Sequence, residues 1–302
     1  LAAAIAVLVL CPVGCTEPEV EPVQIQIATG SRTGVYYVFG QSLATIINRE
    51  VPGVRASVMV TTASAENLEL VSNGSAQLGF TQADILPAVS GDRHPVSAVA
   101  RVYDDLLHLV SRADGPIRQL EDLRGSRLSV GAPGSGTAIT ANRLLAVAQL
   151  AEGAVVTRQL GLDASVAALR TGEIDAFFFS GGLHVKAIEQ LAADVPTRLV
   201  DLARWTEPLR RGYSEVYFAR DIPSSVYGLD GISTVANPNF LIVGSSVPEA
   251  LVYTLTRLLM DFRDELSAAH PAAGRLNRQS AIATLPLPLH PGAARYYRDT
   301  KP

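Results

Sequence analysis

The stretch best equipped for chemistry is Gly131-Ala132-Pro133-Gly134-Ser135-Gly136-Thr137, which follows the strand-like Arg127-Leu128-Ser129-Val130 and opens a helix-like segment from Thr137 to Leu150. A nucleotide-gripping loop of similar outline needs Lys directly after its last glycine, to reach the β- and γ-phosphates. Thr137 occupies that place, so nucleotide hydrolysis is excluded. The pattern keeps a strand-to-helix turn whose first amides lack partners inside the helix. Such ends attract anions through free N–H donors and the helix dipole. One charged contact there is worth roughly 0.3–1 kcal/mol, or about 2 when partly buried. Micromolar binding needs about 8 kcal/mol, so either several ends converge on one ligand or the glycines serve turn geometry alone.

A matching turn, Thr29-Gly30-Ser31-Arg32-Thr33-Gly34-Val35-Tyr36-Tyr37, lies near the start of the chain. Gly30 and Gly34 let a ligand approach the backbone, Ser31 and Thr33 offer hydroxyls, and Tyr36 offers a ring edge and a phenol. Arg32 has the fork geometry for a carboxylate; an exposed loop arginine is the plainer outcome. In Thr61-Thr62-Ala63-Ser64-Ala65-Glu66-Asn67, Thr62 or Ser64 is expected to cap the next helix. One hydroxyl suffices for a cap, and the surplus points to a polar ligand. Gln82 and Asp84 follow a strand end, the usual ligand edge of an α/β sheet. Phe177-Phe178-Phe179-Ser180-Gly181-Gly182 ends its strand likewise, with Phe177 and Phe179 on one face and Phe178 on the other, so at least one face is core.

Catalytic constellations are missing. The histidines (His94, His108, His184, His270 and His290) are scattered without metal-binding spacing. Pro133 breaks the G-x-S-x-G elbow around Ser135, and no carboxylate couple stands out. The expectation is a binding protein without metal or cofactor.

The elements that position these turns repeat. Strands at Gln24–Ala28, Arg55–Val60 and Leu78–Thr81 alternate with helices over Tyr36–Glu50 and Glu66–Val71, which predicts α/β units. The second part repeats the plan, with Gly131 lying 101 residues after Gly30. Gly74 and Gly172, 98 residues apart, each stand before a strand where a helix turns left-handed to stop. Two lobes of one design are predicted: residues 24–112 with 239–302, and residues 113–238. The first crossing is placed at Leu107–Asp114. The return is placed at Asn237-Pro238-Asn239, before a strand Phe240–Val243 and a helix from Pro248 to about Glu265.

Composition agrees with a folded binding module. The 302 residues are 48% hydrophobic and 18% charged, with a net charge of -4. That apolar content excludes a disordered chain, and the acidic balance argues against nucleic-acid binding. Leu1–Leu10 is unbroken apolar, too short to span a bilayer but suited to a secretory signal. Gly14 before Cys15 resembles a lipobox, so residues 1–15 are read as a signal and lipoprotein segment with Cys15 lipidated; ordinary cleavage without a lipid is the alternative. Residues 16–23, TEPEVEPV, read as an extended linker. Both cysteines lie in the leader, so the body carries no disulfide. The expected place is the periplasm, with membrane association only through that N-terminal lipid.

In order, these stretches resemble the TAXI family, the extracytoplasmic solute receptors of TRAP transporters. The likeness rests on Ala28-Thr29-Gly30 through Tyr37, Val60 through Leu68, Gly79-Phe80-Thr81-Gln82-Ala83-Asp84, Gly131 through Thr137, Asp175 through Phe179 with Gly181-Gly182, Tyr227-Gly228 and Thr234-Val235. Arg32-Thr33 and Leu183-His184 depart from the pattern. The resemblance implies a type II periplasmic-binding-protein fold: two α/β lobes hinged around a cleft. It implies a site drawn from Gly30, Gly34, Tyr36, Thr62, Ser64, Asn67, Gln82, Ser135, Gly136, Thr137 and Gly181, to which Arg32 is added. The implied ligand is a small carboxylate or amino acid akin to glutamate, glutamine or 2-oxoglutarate, passed to TRAP membrane subunits. An ABC importer, a membrane-kinase sensor, or an enzyme on the same bilobal fold would share the architecture.

Overall fold

The computed structural model describes residues 23–86, 95–150 and 153–301. The expected signal, the Cys15 lipid site and the linker up to residue 22 lie outside the described residues.

The first half of the chain lays down β1 (Val23–Ala28), α1 (Val35–Glu50), β2 (Val54–Met59), α2 (Ser64–Ser72), β3 (Leu78–Gln82) and β4 (Val96–Arg112). It continues through β5 (Arg127–Ser129), α3 (Gly136–Val147), β6 (Val156–Arg158), α4 (Leu162–Thr171), β7 (Ala176–Gly181), α5 (Lys186–Asp194) and β8 (Thr197–Leu199). The remainder contributes α6 (Thr206–Gly212), β9 (Phe218–Ile222), α7 (Ser224–Tyr227), β10 (Ile232–Gly244), α8 (Glu249–Asp261), α9 (Arg263–Ala269), α10 (Arg278–Ala281) and α11 (Pro291–Asp299).

Local pattern accounts for most of these. In β1, alternation buries Ile25 and Ile27 while the strand pairs in parallel with β2, Val23 opposite Val54 through Ala28 opposite Met59. In α1, Phe39, Leu43, Ile46 and Ile47 recur at helical spacing and form one buried stripe against the sheet. Gly74 (φ +80°) and Gly172 (φ +76°) adopt the left-handed conformation expected after α2 and at the end of α4.

The strands form one sheet in the order β2-β1-β3-β10-β4-β7-β5-β6, with β8 added on β4 and β9 on β10. Two long antiparallel strands carry this sheet from one half to the other. At about 3.3 Å per residue, the 17 residues of β4 reach far beyond one lobe. The start of β4 lies beside the end of β10, next to β3, whereas its far end pairs with β7 and β8. Buried apolar residues separate accordingly. Two clusters draw only on residues 25–103 and 240–297, and the other two only on 106–235.

Two elements depart from the local pattern. The strand expected from Phe240 begins at Ile232 and runs straight through Asn237-Pro238-Asn239. Proline is tolerated in a sheet beside an irregularity, and the β10–β4 register shifts between Asn239 and Phe240. The helix expected to reach Glu265 stops at Asp261; Phe262 leaves helical geometry (φ -102°, ψ 20°), and α9 restarts after it. Among the described residues, no helix is long and apolar enough to cross a membrane.

Candidate ligand-binding site

The Gly30 and Gly131 turns face each other across a cleft of about 180 Å³. That is below the ~300–1,000 Å³ typical of drug-sized ligands. Four helix N-termini open onto it: Val35 and Tyr36 of α1, Ser64 of α2, Gly136 and Thr137 of α3, and Leu162 of α4. Among the described residues, no Lys, Arg or His lines the space, and one carboxylate, Asp105, does.

The α3 end shows how sequence builds such a site. Gly131 has φ +105°, and a Cβ there would stand 2.7 Å from the Thr137 methyl, so the turn requires glycine. The Ser135 hydroxyl accepts the Ala138 amide (3.2 Å) and donates to the Ala132 carbonyl (2.7 Å). Ser135 is thus committed to its own helix cap, while the Gly136 and Thr137 amides make no bond among the described residues. The Thr137 hydroxyl accepts the Ser180 amide at 3.0 Å, tying α3 to β7.

The α2 end differs from the expected cap. Ala63, at φ +84°, precedes the helix without a side-chain cap. Thr62 donates both its amide (2.6 Å) and its hydroxyl (2.8 Å) to Glu66 instead, and Ser64 is the first helical residue. The Ser64 hydroxyl turns inward, 3.1 Å from the Tyr36 phenol, and accepts the Gln82 amide at 3.3 Å. The Glu66 carboxylate, four residues on, thus takes both donors of Thr62.

A polar network forms the floor. The Tyr36 phenol donates a hydrogen bond to Asn239 Oδ1, and its ring stacks on Phe80 with centroids 5.3 Å apart. Burial first, then Asp105 nearby, hold this phenol well above its ordinary pKa. Gln82 Nε2 donates to Asp105 Oδ2 (2.6 Å) and to Ser180 Oγ (2.7 Å). The Asn239 amide lies beside Asp105, near enough to favour its ionised form but outside hydrogen-bond geometry. Asp105 is only 4% exposed. Burial pushes its carboxyl up to about 7 against the opposing bonds from Gln82 and Ser180 and the nearby Asn239 amide. Among the described residues, Asp105 Oδ1 and Gln82 Oε1 are buried acceptors with no donor, a costly state that a ligand's N–H groups would relieve.

The two sides of the cleft touch. Gln82 Oε1 sits 1.9 Å from where a Cβ on Gly136 would stand, and Thr33 Oγ1 donates to Asp163 at 3.4 Å across the mouth. Behind Gln82, the fully buried Asp84 carboxylate accepts from Thr140 (2.9 Å), Arg143 (3.2 Å) and Tyr217 (2.6 Å). This cluster ties the end of β3 to α3 and to the loop before β9.

Of the twelve residues expected at the site, Gly30, Gly34, Tyr36, Thr62, Ser64, Gln82, Ser135, Gly136, Thr137 and Gly181 line the cleft. Two do not. Arg32 donates to the Tyr37 phenol (2.8 Å) and packs 5.4 Å from its ring centre, outside the cleft. Asn67 is fully buried beneath it, donating to the Thr29 and Phe80 carbonyls and accepting from Thr61, so it braces the turn. Asp105, Tyr103 and Ser180 were not anticipated. The available signal was Asp104-Asp105 inside an otherwise apolar strand: alternation points the pair to opposite faces. Asp104 pairs with Arg101 and Arg220, which leaves Asp105 for the cleft.

Two α/β halves joined by crossing strands and facing one cleft define the type II periplasmic-binding-protein fold. Solved structures agree: the aliphatic sulphonate binding protein SsuA of Escherichia coli matches with TM-score 0.52 and 16% identity, over 93% of this chain and 84% of that one. A putative L-cystine ABC transporter protein of Listeria monocytogenes matches with TM-score 0.51 and 14% identity, over 84% and 97%. The GluR0 ligand-binding core complexed with L-glutamate gives 0.50 and 10%, again over 84% and 97%. Such identities establish the fold alone. The chain belongs to the NMT1-like family, which it matches over residues 27–300.

Proposed function

We propose that this protein is a non-enzymatic extracytoplasmic receptor that closes on a small α-amino acid and delivers it to a membrane importer. The observation that carries the reading is the convergence of four helix N-termini on a cleft where, among the described residues, the one lining carboxylate is Asp105. The free amides of Gly136 and Thr137 suit a carboxylate, and the unpaired Asp105 Oδ1 suits an ammonium. A dianion such as 2-oxoglutarate would meet Asp105 with like charge, so glutamate and glutamine fit better than the keto acid. Residues 24–103 with 240–302 form one lobe and 106–235 the other; the first boundary lies before the expected residue 112, because Leu106–Arg112 pair with β7 and β8, and the hinge lies where β4 and β10 cross. Ligand touching both lobes favours the closed state by its differential affinity.

An ABC importer is the outlet that the similar structures favour, since the Listeria protein is assigned to one. The TAXI-like order of motifs supports the second reading, a TRAP transporter. Anchoring through Cys15 would keep the receptor beside either permease.

The test begins with mass spectrometry of solute released from the purified protein, followed by titration calorimetry with L-glutamate, L-glutamine, 2-oxoglutarate and ethanesulfonate. An amino acid is expected to bind at least 100-fold more tightly than the keto acid. Equal affinity for 2-oxoglutarate removes the ammonium role of Asp105. Chemical conversion of the bound solute removes the receptor reading.

A further inference from the structure

A second cavity, remote in sequence from the cleft turns, opens among α10, the loop after it and α11. Its volume is about 430 Å³, within the range of small-molecule sites. The wall is apolar, from Ile282, Leu289, Ala294 and the ring of Tyr297; the polar part carries Arg278, Arg298 and Lys301, and among the described residues no carboxylate lines it. Ile282 is 47% exposed and leaves its side of the wall open. The Tyr297 phenol is held by the Val99 carbonyl at 3.2 Å, which fixes its ring as a wall. Among the described residues, none of the three cations makes an ion pair.

Arg298 and Lys301 at the end of α11 would answer the dipole of that helix. That does not account for Arg278, which reaches the same cavity from α10, packed over Tyr296 at 5.8 Å and donating to its phenol at 3.3 Å. Nor does it account for an open apolar wall. Cations from two elements around a space of this size complement an anion with an apolar body. We infer that this cavity is a second binding site, for an aromatic or medium-chain aliphatic carboxylate or sulfonate, distinct from the cleft and independent of the cleft's ligand.

The test titrates the whole chain with 8-anilinonaphthalene-1-sulfonate by fluorescence and with 4-phenylbutyrate by calorimetry, using 4-phenylbutanol as the neutral control. One molecule of each anion per chain is expected, with affinity falling as salt rises and the alcohol binding at least five-fold more weakly. Arg278→Ala with Arg298→Ala should weaken both anions at least ten-fold. Ile282→Asp, on an exposed position, should abolish binding while the melting temperature holds. Gly136→Ala, in the cleft, should leave it unchanged. Absence of saturable binding, equal binding of the alcohol, indifference to the double substitution, or competition by L-glutamate would each overturn the proposal.

Discussion

Gly136 offers a substitution that separates closing from folding. It is the first residue of α3, where a methyl group does not disturb the helix, and alanine is the better helix former by up to about 1 kcal/mol. With the cleft closed, the new Cβ would stand 1.9 Å from Gln82 Oε1 and 2.4 Å from its Cδ. Gln82 is 2% exposed and held by Asp105 and Ser180, so it cannot step aside without losing those bonds. A bond to a charged group contributes about 1.5–3 kcal/mol and a neutral one about 0.5–1.5. Blocking closure should therefore cost about 2–4 kcal/mol, or roughly 30- to 1,000-fold in affinity. Calorimetry with the amino acid recovered from the protein reads the affinity. Small-angle scattering should show no compaction on its addition, and the melting temperature of the empty protein should stay within about two degrees. Gln82→Ala in the same chain removes the obstacle and should restore closure, though not full affinity. Wild-type affinity in Gly136→Ala alone would show that the two sides need not meet at this point.

Asp84→Ala removes the shared acceptor of Thr140, Arg143 and Tyr217; it should weaken amino-acid binding at least ten-fold and expand the scattering profile, and an unchanged constant would make the cluster purely structural. The Asp105 carboxyl, raised to about 7 in the folded chain, stabilises the empty protein fully below its ordinary value near 4 and loses that contribution as pH rises toward 7. The melting temperature of wild type relative to Asp105→Asn should therefore fall across that interval. An ammonium needs the ionised carboxylate, so affinity should rise from pH 5 to 8, with proton release below 7 detected in buffers of different ionisation enthalpy; Asp105→Asn should abolish both effects. Tyr36→Phe keeps the stacking on Phe80 but strands Asn239 Oδ1 and Ser64. Denaturant unfolding should report a loss of about 1–3 kcal/mol, and a change below about 0.5 would show that water replaces the phenol.

The glycine turns and the α3 start were legible in the sequence, because neighbours decide them; the α2 start was not, since Glu66 takes Thr62. Gly131 cannot be replaced where Thr137 folds back onto it, and Gly74 and Gly172 end helices through φ values that other residues resist. Alternation in β1 and the apolar stripe of α1 likewise needed no distant partner. Tertiary structure decided which of these ends meet and what stands between them. Gln82 reaches Ser180, 98 residues away, and Asp84 reaches Tyr217 across 133. Arg32 is taken by Tyr37 and Asn67 by two carbonyls, although both residue types suit a carboxylate equally well on paper. The run through Pro238 depends on the β4 register, which local propensity does not contain. Backbone preference acts over a few residues, whereas the charge and shape of a cleft come from sheet pairing between segments that touch only once the chain has folded.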